Sequence, residues 1–293
     1  DDLYILYTGG TTGMPKGVLW RSADIYIAAM GGRKFDGTEQ DSLEGIVEAA
    51  KGGGSQRSLP CPPLMHGASQ WVSFGLMGGG DTIVLQDNPR RLDGDDIVSV
   101  MEREKVTLAL IVGDAFARPI LDAMKKAQKR NVDLSSLMML ASGGAPLSTA
   151  HKEEMLELMP NLIVMDSIGS SETGAQGSNP SSKTMGVSTG SFKPGPGSGV
   201  VSEDLTRVLG PDDTEMGWFA QHGRVPLGYL NDADKTARTF PTIEGTRWSI
   251  PGDRARYQDD GGIEVLGRDS VTINSGGEKI FAEEVEHALK LHP

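Results

Sequence analysis

Two short, unbroken apolar runs constrain the fold most, Thr82-Ile83-Val84-Leu85 and Leu108-Ala109-Leu110-Ile111-Val112, with Leu162-Ile163-Val164-Met165 reading as a further strand. Runs of this kind suit strands buried on both faces, as in parallel sheets covered by helices. The segments around them carry the complementary pattern. After Thr82-Ile83-Val84-Leu85, residues Asp95 to Glu104 place Ile97, Val98 and Met101 at helical spacing. Pro119 to Lys129 predicts a second helix, its end marked by Lys125, Lys126, Lys129 and Arg130, where cations meet the negative end of the helix dipole. Leu137-Met138-Met139-Leu140 reads as a further strand, and Ser148 to Leu158 as a helix capped by Ser148 or Thr149. Strand and helix in alternation imply an α/β layered domain with a parallel sheet.

After Gly174 the character changes. Residues 174–200 are rich in Gly, Ser and Pro, and short strand-like runs follow, separated by turn signals such as Asp259-Asp260-Gly261-Gly262. The expected organisation is therefore an α/β part over 1–175, a β-rich subdomain over 176–266, and a third part over 267–293 with a helix from Ala282 to Leu291. Ser58 to Gly80 holds no Asp, Glu, Lys or Arg, but Pro60, Pro62, Pro63 and five glycines break it. A buried or ligand-lining loop region is expected there, not a membrane span.

Charge narrows the partners. At −12 the chain disfavours nucleic acid or an anionic membrane. Cys61 is the only cysteine, so neither an intrachain disulfide nor a cysteine-cluster metal site can form, and a reducing, cytoplasmic setting fits. The Asp1-Asp2 start lacks the basic and apolar regions of a secretory signal. No Met opens the chain, which starts beside Leu3-Tyr4-Ile5-Leu6-Tyr7 and stops at His292-Pro293, so a piece of a longer polypeptide is expected. A homo-oligomer stays open.

Chemistry concentrates in Tyr7-Thr8-Gly9-Gly10-Thr11-Thr12-Gly13-Met14-Pro15-Lys16-Gly17, directly after a strand-like run. Glycines let backbone N–H groups turn inward to an anion, three threonine hydroxyls add donors, and Lys16 adds a cation, which together suit polyphosphate. Pro15 before the lysine and Gly17 after it exclude a Walker A loop. Two other glycine patterns fail. Gly169-Ser170-Ser171-Glu172-Thr173 has Thr where a hydrolase elbow needs Gly, and Gly195-Pro196-Gly197-Ser198-Gly199 follows Pro194, not a strand.

The loop resembles the phosphate-binding signature of the adenylate-forming superfamily: acyl-CoA synthetases, aryl-CoA ligases, luciferases and peptide-synthetase adenylation domains. Later segments match in the same order: Ser142-Gly143-Gly144-Ala145-Pro146, then Asp166-Ser167-Ile168-Gly169-Ser170-Ser171-Glu172-Thr173-Gly174, then Pro251-Gly252-Asp253 with Gly267-Arg268 and Asn274-Ser275-Gly276-Gly277-Glu278-Lys279-Ile280. The resemblance implies a partial adenylate-forming large domain, a β-rich subdomain and the start of a C-terminal lid. Thr8, Gly9, Gly10, Thr11, Thr12, Gly13 and Lys16 would cradle the β- and γ-phosphates of ATP. Gly143, Gly144 and Ala145 would line the adenine, with Asp166 accepting from its amino group. Glu172 would hold Mg²⁺, Ser171 would touch the α-phosphate, Asp253 would accept both ribose hydroxyls, and Arg268 would assist. Thr8, Lys16 and Glu172 are thus the expected catalytic residues.

The implied reaction joins a small-molecule carboxylic acid to ATP as acyl-AMP and then to CoA. The wording of Thr8 to Trp20 and Gly267 to Glu286 is most similar to ligases for fatty and steroid-side-chain acids. His66, Gly67 and Trp71 would shape the acyl pocket, with simple packing an equal alternative for His66. Ile168 stands where many members carry an aromatic against the adenine, Ser171 where Thr is common, and Ser270 at the hinge where Asp or Lys is usual. The family's lid lysine lies beyond Pro293, and its members carry a long segment before the phosphate loop, so slow adenylation and exposed apolar surface are expected of this chain. Two alternatives keep part of this reading: an enzyme loading a carrier protein, and a non-catalytic nucleotide-binding fragment.

Overall fold

The structure, a computed structural model, describes residues 2–8, 15–34, 37–40, 42–269, 273–275 and 278–280, with Ala282, Val285, Ala288 and Leu289. The fold is α/β and divides into two units. One comprises Tyr26–Ser167 and Asn179–Thr189; the other comprises Asp1–Ile25, Ile168–Ser178 and Gly190–Pro293.

In the first unit a parallel sheet runs in the order Thr82–Ile83, Arg57–Pro60, Leu108–Ile111, Met139–Gly143, and the strand that begins at Ile163. The apolar run at Leu108–Ile111 supplies its middle strand, while the run at Ile163 forms the last of the five and leaves Ile163 exposed. Helices Gly94–Arg103, Gly113–Lys129 and Thr149–Leu158 contribute to the same core. Ile97, Met101, Ile111, Ile120, Leu121 and Leu140 are all fully buried, each worth about 1.5–3 kcal/mol of hydrophobic stabilisation. Asp93 starts the first of these helices by accepting from the N–H groups of Asp95 and Asp96.

Two local expectations shift. The helix expected from Pro119 begins at Gly113 and carries Pro119 inside it. An interior proline costs about 3 kcal/mol, and burial of Ala117 before it and of Ile120 and Leu121 after it offsets that cost. The uncharged stretch after Ser58 is not a loop: it holds most of the strand Arg57–Pro60 and the helix Gly67–Gly78. Gly75 in that helix sits so close to the backbone of Met30 and Gly31 that a Cβ would stand 3.1 Å from the Met30 carbonyl carbon. Cys61 is buried, and burial pushes its thiol up to about 12, which removes it as a nucleophile.

The second unit is antiparallel. A three-stranded sheet orders Leu3–Thr8, Lys16–Arg21 and Gly228–Tyr229. Another runs Val208–Leu209, Ser198–Val201, Gly217–His222, Asp253–Tyr257, Ile263–Arg268 and Ser191–Pro194, ending on Gly177 and Ser178. Successive side chains along a strand point to opposite faces. Val200 and Phe219 accordingly join one core with Ala255 and Ile263, while Val201 and Ala220 join another with Ile243 and Trp248. Strands Ile273–Ser275 and Glu278–Ile280 pair with each other.

Leu3–Thr8 is an edge strand whose alternate residues part company. Leu6 is 5% exposed, whereas Leu3, Ile5 and Tyr7 are 49%, 42% and 60% exposed. Among the described residues no helix is long and apolar enough to cross a membrane.

Candidate functional site

The phosphate-loop residues Gly9, Gly10, Thr11, Thr12 and Gly13 lie outside the described residues, but both flanks are placed. Thr8 and Lys16 are cross-strand partners at the mouth of an antiparallel hairpin. Lys16 Nζ donates to Asp232 Oδ2 at 3.1 Å. Asp232 also caps the helix Ala233–Thr239 by accepting from Lys235 N at 3.0 Å. That backbone hydrogen bond, with Lys16 second, holds the Asp232 carboxyl below its ordinary range. Lys235 lies 4.4 Å from the Tyr229 ring centre, and its pKa is lowered by burial and then by the neighbouring Lys16 charge.

Glu172 sits in a tight turn. Gly174 closes it at φ +71, a conformation that favours glycine, and a Cβ on Gly169 would stand 2.1 Å from the Gly174 carbonyl oxygen. Three side chains then pin the turn. Trp20, fully buried, donates its indole N–H to the Ser171 carbonyl at 2.9 Å. Ser249 donates to the Glu172 carbonyl at 2.6 Å, and the Tyr229 hydroxyl donates to Glu172 Oε1 at 2.7 Å. Burial, followed by the Glu172 charge, pushes the Tyr229 phenol well above its ordinary pKa, so it stays a donor. Oε2 of this buried carboxylate accepts from no described residue. A hard cation takes such oxygens, so the donor chemistry fits Mg²⁺.

Asp253 and Arg268 are register partners on adjacent strands, which explains their contact: Arg268 Nε donates to Asp253 Oδ1 at 3.2 Å. Burial raises the Asp253 pKa, Arg268 opposes the rise, and the charge of Glu172 adds to it. Arg268 also lowers the Tyr229 pKa. Glu172, Tyr229, Asp253 and Arg268 therefore form one electrostatic cluster within the second unit. Ile168 packs partly buried against the core that contains Val200 and Phe219.

The first unit carries the remaining residues. Gly143 ends a parallel strand, Gly144 turns at φ +88, and Gly144 and Ala145 are exposed. Asp166 is 7% exposed and accepts from Lys152, a fully buried lysine. The Asp166 pKa is raised by burial, against the opposing charge of Lys152. His66 is exposed and precedes the helix Gly67–Gly78; its Cε1 lies 3.8 Å from where a Cβ on Gly144 would be. Gly67 opens that helix, and Trp71, one turn on, is buried with an indole N–H that has no acceptor among the described residues. Ser270 lies outside the described residues.

Tyr229, Asp232, Lys235 and Lys152 are the residues that sequence reasoning missed. Asp232 ahead of Ala233 was legible as a helix cap, but nothing in the sequence sets it against Lys16, 216 positions away. Lys152 lies within a predicted helix, where a lysine ordinarily reads as a solvated face.

Residues 1–217 match the family described as AMP-binding enzyme. The medium-chain acyl-CoA ligase Mig of Mycobacterium avium is 51% identical over 294 residues, covering 100% of this chain and 53% of the relative. The medium/long-chain-fatty-acid–CoA/3-oxocholest-4-en-26-oate–CoA ligase of Mycolicibacterium smegmatis is 44% identical, covering 100% of this chain and 53% of its own length. This chain thus spans about half the length of the curated relatives it matches. Among solved structures, the O-succinylbenzoate coenzyme A synthetase of Bacillus subtilis in complex with AMP superposes with TM-score 0.74 at 27% identity, covering 99% of this chain and 54% of that one. The same enzyme in complex with ATP and magnesium ion gives TM-score 0.73.

Proposed function

Because the chain belongs to the AMP-binding enzyme family, we propose that it forms the nucleotide- and acyl-binding part of an ATP-dependent acyl-CoA synthetase for a lipid-like carboxylic acid, fatty or steroid-side-chain. The observation that carries the reading is the cluster of Glu172, Tyr229, Asp253 and Arg268, one buried and one partly buried carboxylate with a donor on each. Such a cluster is costly to fold and suits a polyhydroxylated, polyanionic ligand that needs acceptors and a metal together.

In this reading a carboxylate oxygen of the acid attacks the α-phosphorus of ATP while the bond to the β-phosphate breaks. Acyl-AMP and pyrophosphate result. The CoA sulfur then attacks the acyl carbon, and AMP leaves with the bonding electrons. Phosphoryl transfer asks the protein for positioning and charge neutralisation. Lys16 supplies a cation toward the departing phosphates, and the Glu172 carboxylate would hold Mg²⁺, which neutralises phosphate charge when bound. Asp253 receives the ribose hydroxyls through its two oxygens. Tyr229 holds Glu172 in place by its hydroxyl. His66 and Trp71 border the acyl group, and Gly143 to Ala145 border the base.

Incubating an excess of the chain with ATP, Mg²⁺ and free CoA tests this, since protein in excess makes a slow single turnover measurable. AMP and thioester are expected with decanoate or a steroid-side-chain acid and not without an acid. AMP formation with acetate or amino acids alone, or a thioester that forms only on a carrier protein, would overturn it.

A further inference from the structure

We infer that Lys152 is a positioning residue that sets nucleobase choice, by holding Asp166 as an acceptor that admits a 6-amino purine and rejects a 6-oxo purine. The inference rests on the nucleotide reading above and deepens it at one end of the ligand.

Lys152 belongs to the helix Thr149–Leu158 and is fully buried. A buried ammonium is tolerated only when its donors are all taken. Here they are: Lys152 Nζ donates to Asp166 Oδ2, to the Ser188 carbonyl at 2.5 Å and to Thr189 Oγ1 at 2.9 Å. Thr189 Oγ1 in turn donates to the Leu147 carbonyl at 3.2 Å. The lysine is therefore fixed from three sides and has one carboxylate oxygen to orient.

Asp166 lies near the carboxyl end of the parallel-sheet part of its strand, register partner to Ser142 and one residue before the Gly143↔Ser167 pair. Ligands of open α/β sheets bind beyond these strand ends. With Oδ2 held by Lys152, Oδ1 is left accepting from no described residue. An ionised carboxylate has acceptors only. Its free oxygen takes an N–H of the adenine 6-amino group and repels the 6-oxo group of hypoxanthine or guanine.

The lysine decides which form the carboxyl takes. Asp166 is buried, and the negative Asp114 nearby also disfavours its charge, so Lys152 is what opposes protonation. Without the ammonium, a buried carboxyl takes up a proton, and its O–H can donate to a 6-oxo group. Discrimination then fails by a route distinct from loss of packing.

The test compares AMP and IMP affinity by calorimetry for the parent chain, Lys152→Met, and the Lys152→Met/Asp166→Asn double variant. The double variant removes both charges together and keeps a fold check available if the single variant does not fold. The parent is expected to prefer AMP by about thirtyfold, the scale of one charged hydrogen bond. Both variants are expected to fall to within about threefold of parity, because a protonated carboxyl or a flipped amide serves either base. Loss of affinity for both nucleotides with the parent ratio kept would overturn the inference, as would a parent that binds AMP and IMP equally. A folded parent that binds neither nucleotide overturns the nucleotide reading itself.

Discussion

The hydroxyl of Tyr229 donates to Oε1 of Glu172 at 2.7 Å, joining residues 57 positions apart in sequence. The contact exists because Gly228–Tyr229 is the third strand beside Lys16–Arg21, with Tyr229 opposite Val18. Trp20 on the same middle strand donates to the Ser171 carbonyl, so one small sheet fixes the backbone and the carboxylate of the Glu172 turn.

Tyr229→Phe should therefore cost about 1.5–3 kcal/mol of stability, since it strips a donor from a buried carboxylate and offers nothing in its place. Urea unfolding reads this as a fall in midpoint at unchanged slope. A change under about 0.5 kcal/mol would mean that the carboxylate finds water instead.

Asp253 carries a pH dependence whose sign is fixed. Its folded-state pKa is raised, first by burial, so between the unfolded value near 4 and the raised value the folded state binds more protons. Stability from this group is greatest below the unfolded pKa and falls as pH rises through the folded one. Asp253→Asn should thus be more stable than the parent at pH 7, by about 1 kcal/mol, while losing nucleotide affinity. The stability difference should close near pH 4. A variant less stable at pH 7 than at pH 4, relative to the parent, would contradict the burial argument.

Gly169→Ala should damage the same turn from inside. Its Cβ would meet the Gly174 carbonyl oxygen at 2.1 Å, and backbone cannot swing away as a side-chain tip can. A loss of about 1–3 kcal/mol is expected, with weaker nucleotide binding as the turn carrying Glu172 shifts. Alanine at Gly78, where nothing lies within 4 Å of the added Cβ and no positive φ is involved, is the control for space.

The edge strand should bind an apolar dye. Leu3, Ile5 and Tyr7 line one exposed side of Leu3–Thr8, while Leu6 faces inward. Replacing all three by threonine, which retains strand propensity, should lower the dye signal and change stability by less than about 1 kcal/mol. An unchanged signal would place the dye site elsewhere.

The α/β layering was legible because its central strands, such as Leu108–Ile111, are uniformly apolar and helices around them are periodic. Helix Gly113–Lys129 was found six residues late, since Pro119 reads locally as a start and its burial is a tertiary fact. The chemistry of the glycine-rich loop named Thr8 and Lys16, while the resemblance to the adenylate-forming superfamily named Glu172, Asp166 and Asp253. Their partners were not legible: Asp232, Tyr229 and Lys152 reach them through strand register or helix packing, 216, 57 and 14 residues away. Arg268 is the intermediate case, named by motif, with its contact to Asp253 set by a cross-strand register that no local pattern states.

Binding of non-hydrolysable acyl-adenylate analogues bears most directly on the claim that this chain holds an acyl-adenylate. Analogues carrying acetyl, decanoyl and steroid-side-chain groups would be titrated by calorimetry against the folded chain and against Asp253→Asn. Tight binding of the decanoyl or steroid analogue, at least about tenfold tighter than acetyl and lost in the variant, is the expected result. Equal affinity for all three, or no binding by a chain shown to be folded, would contradict it.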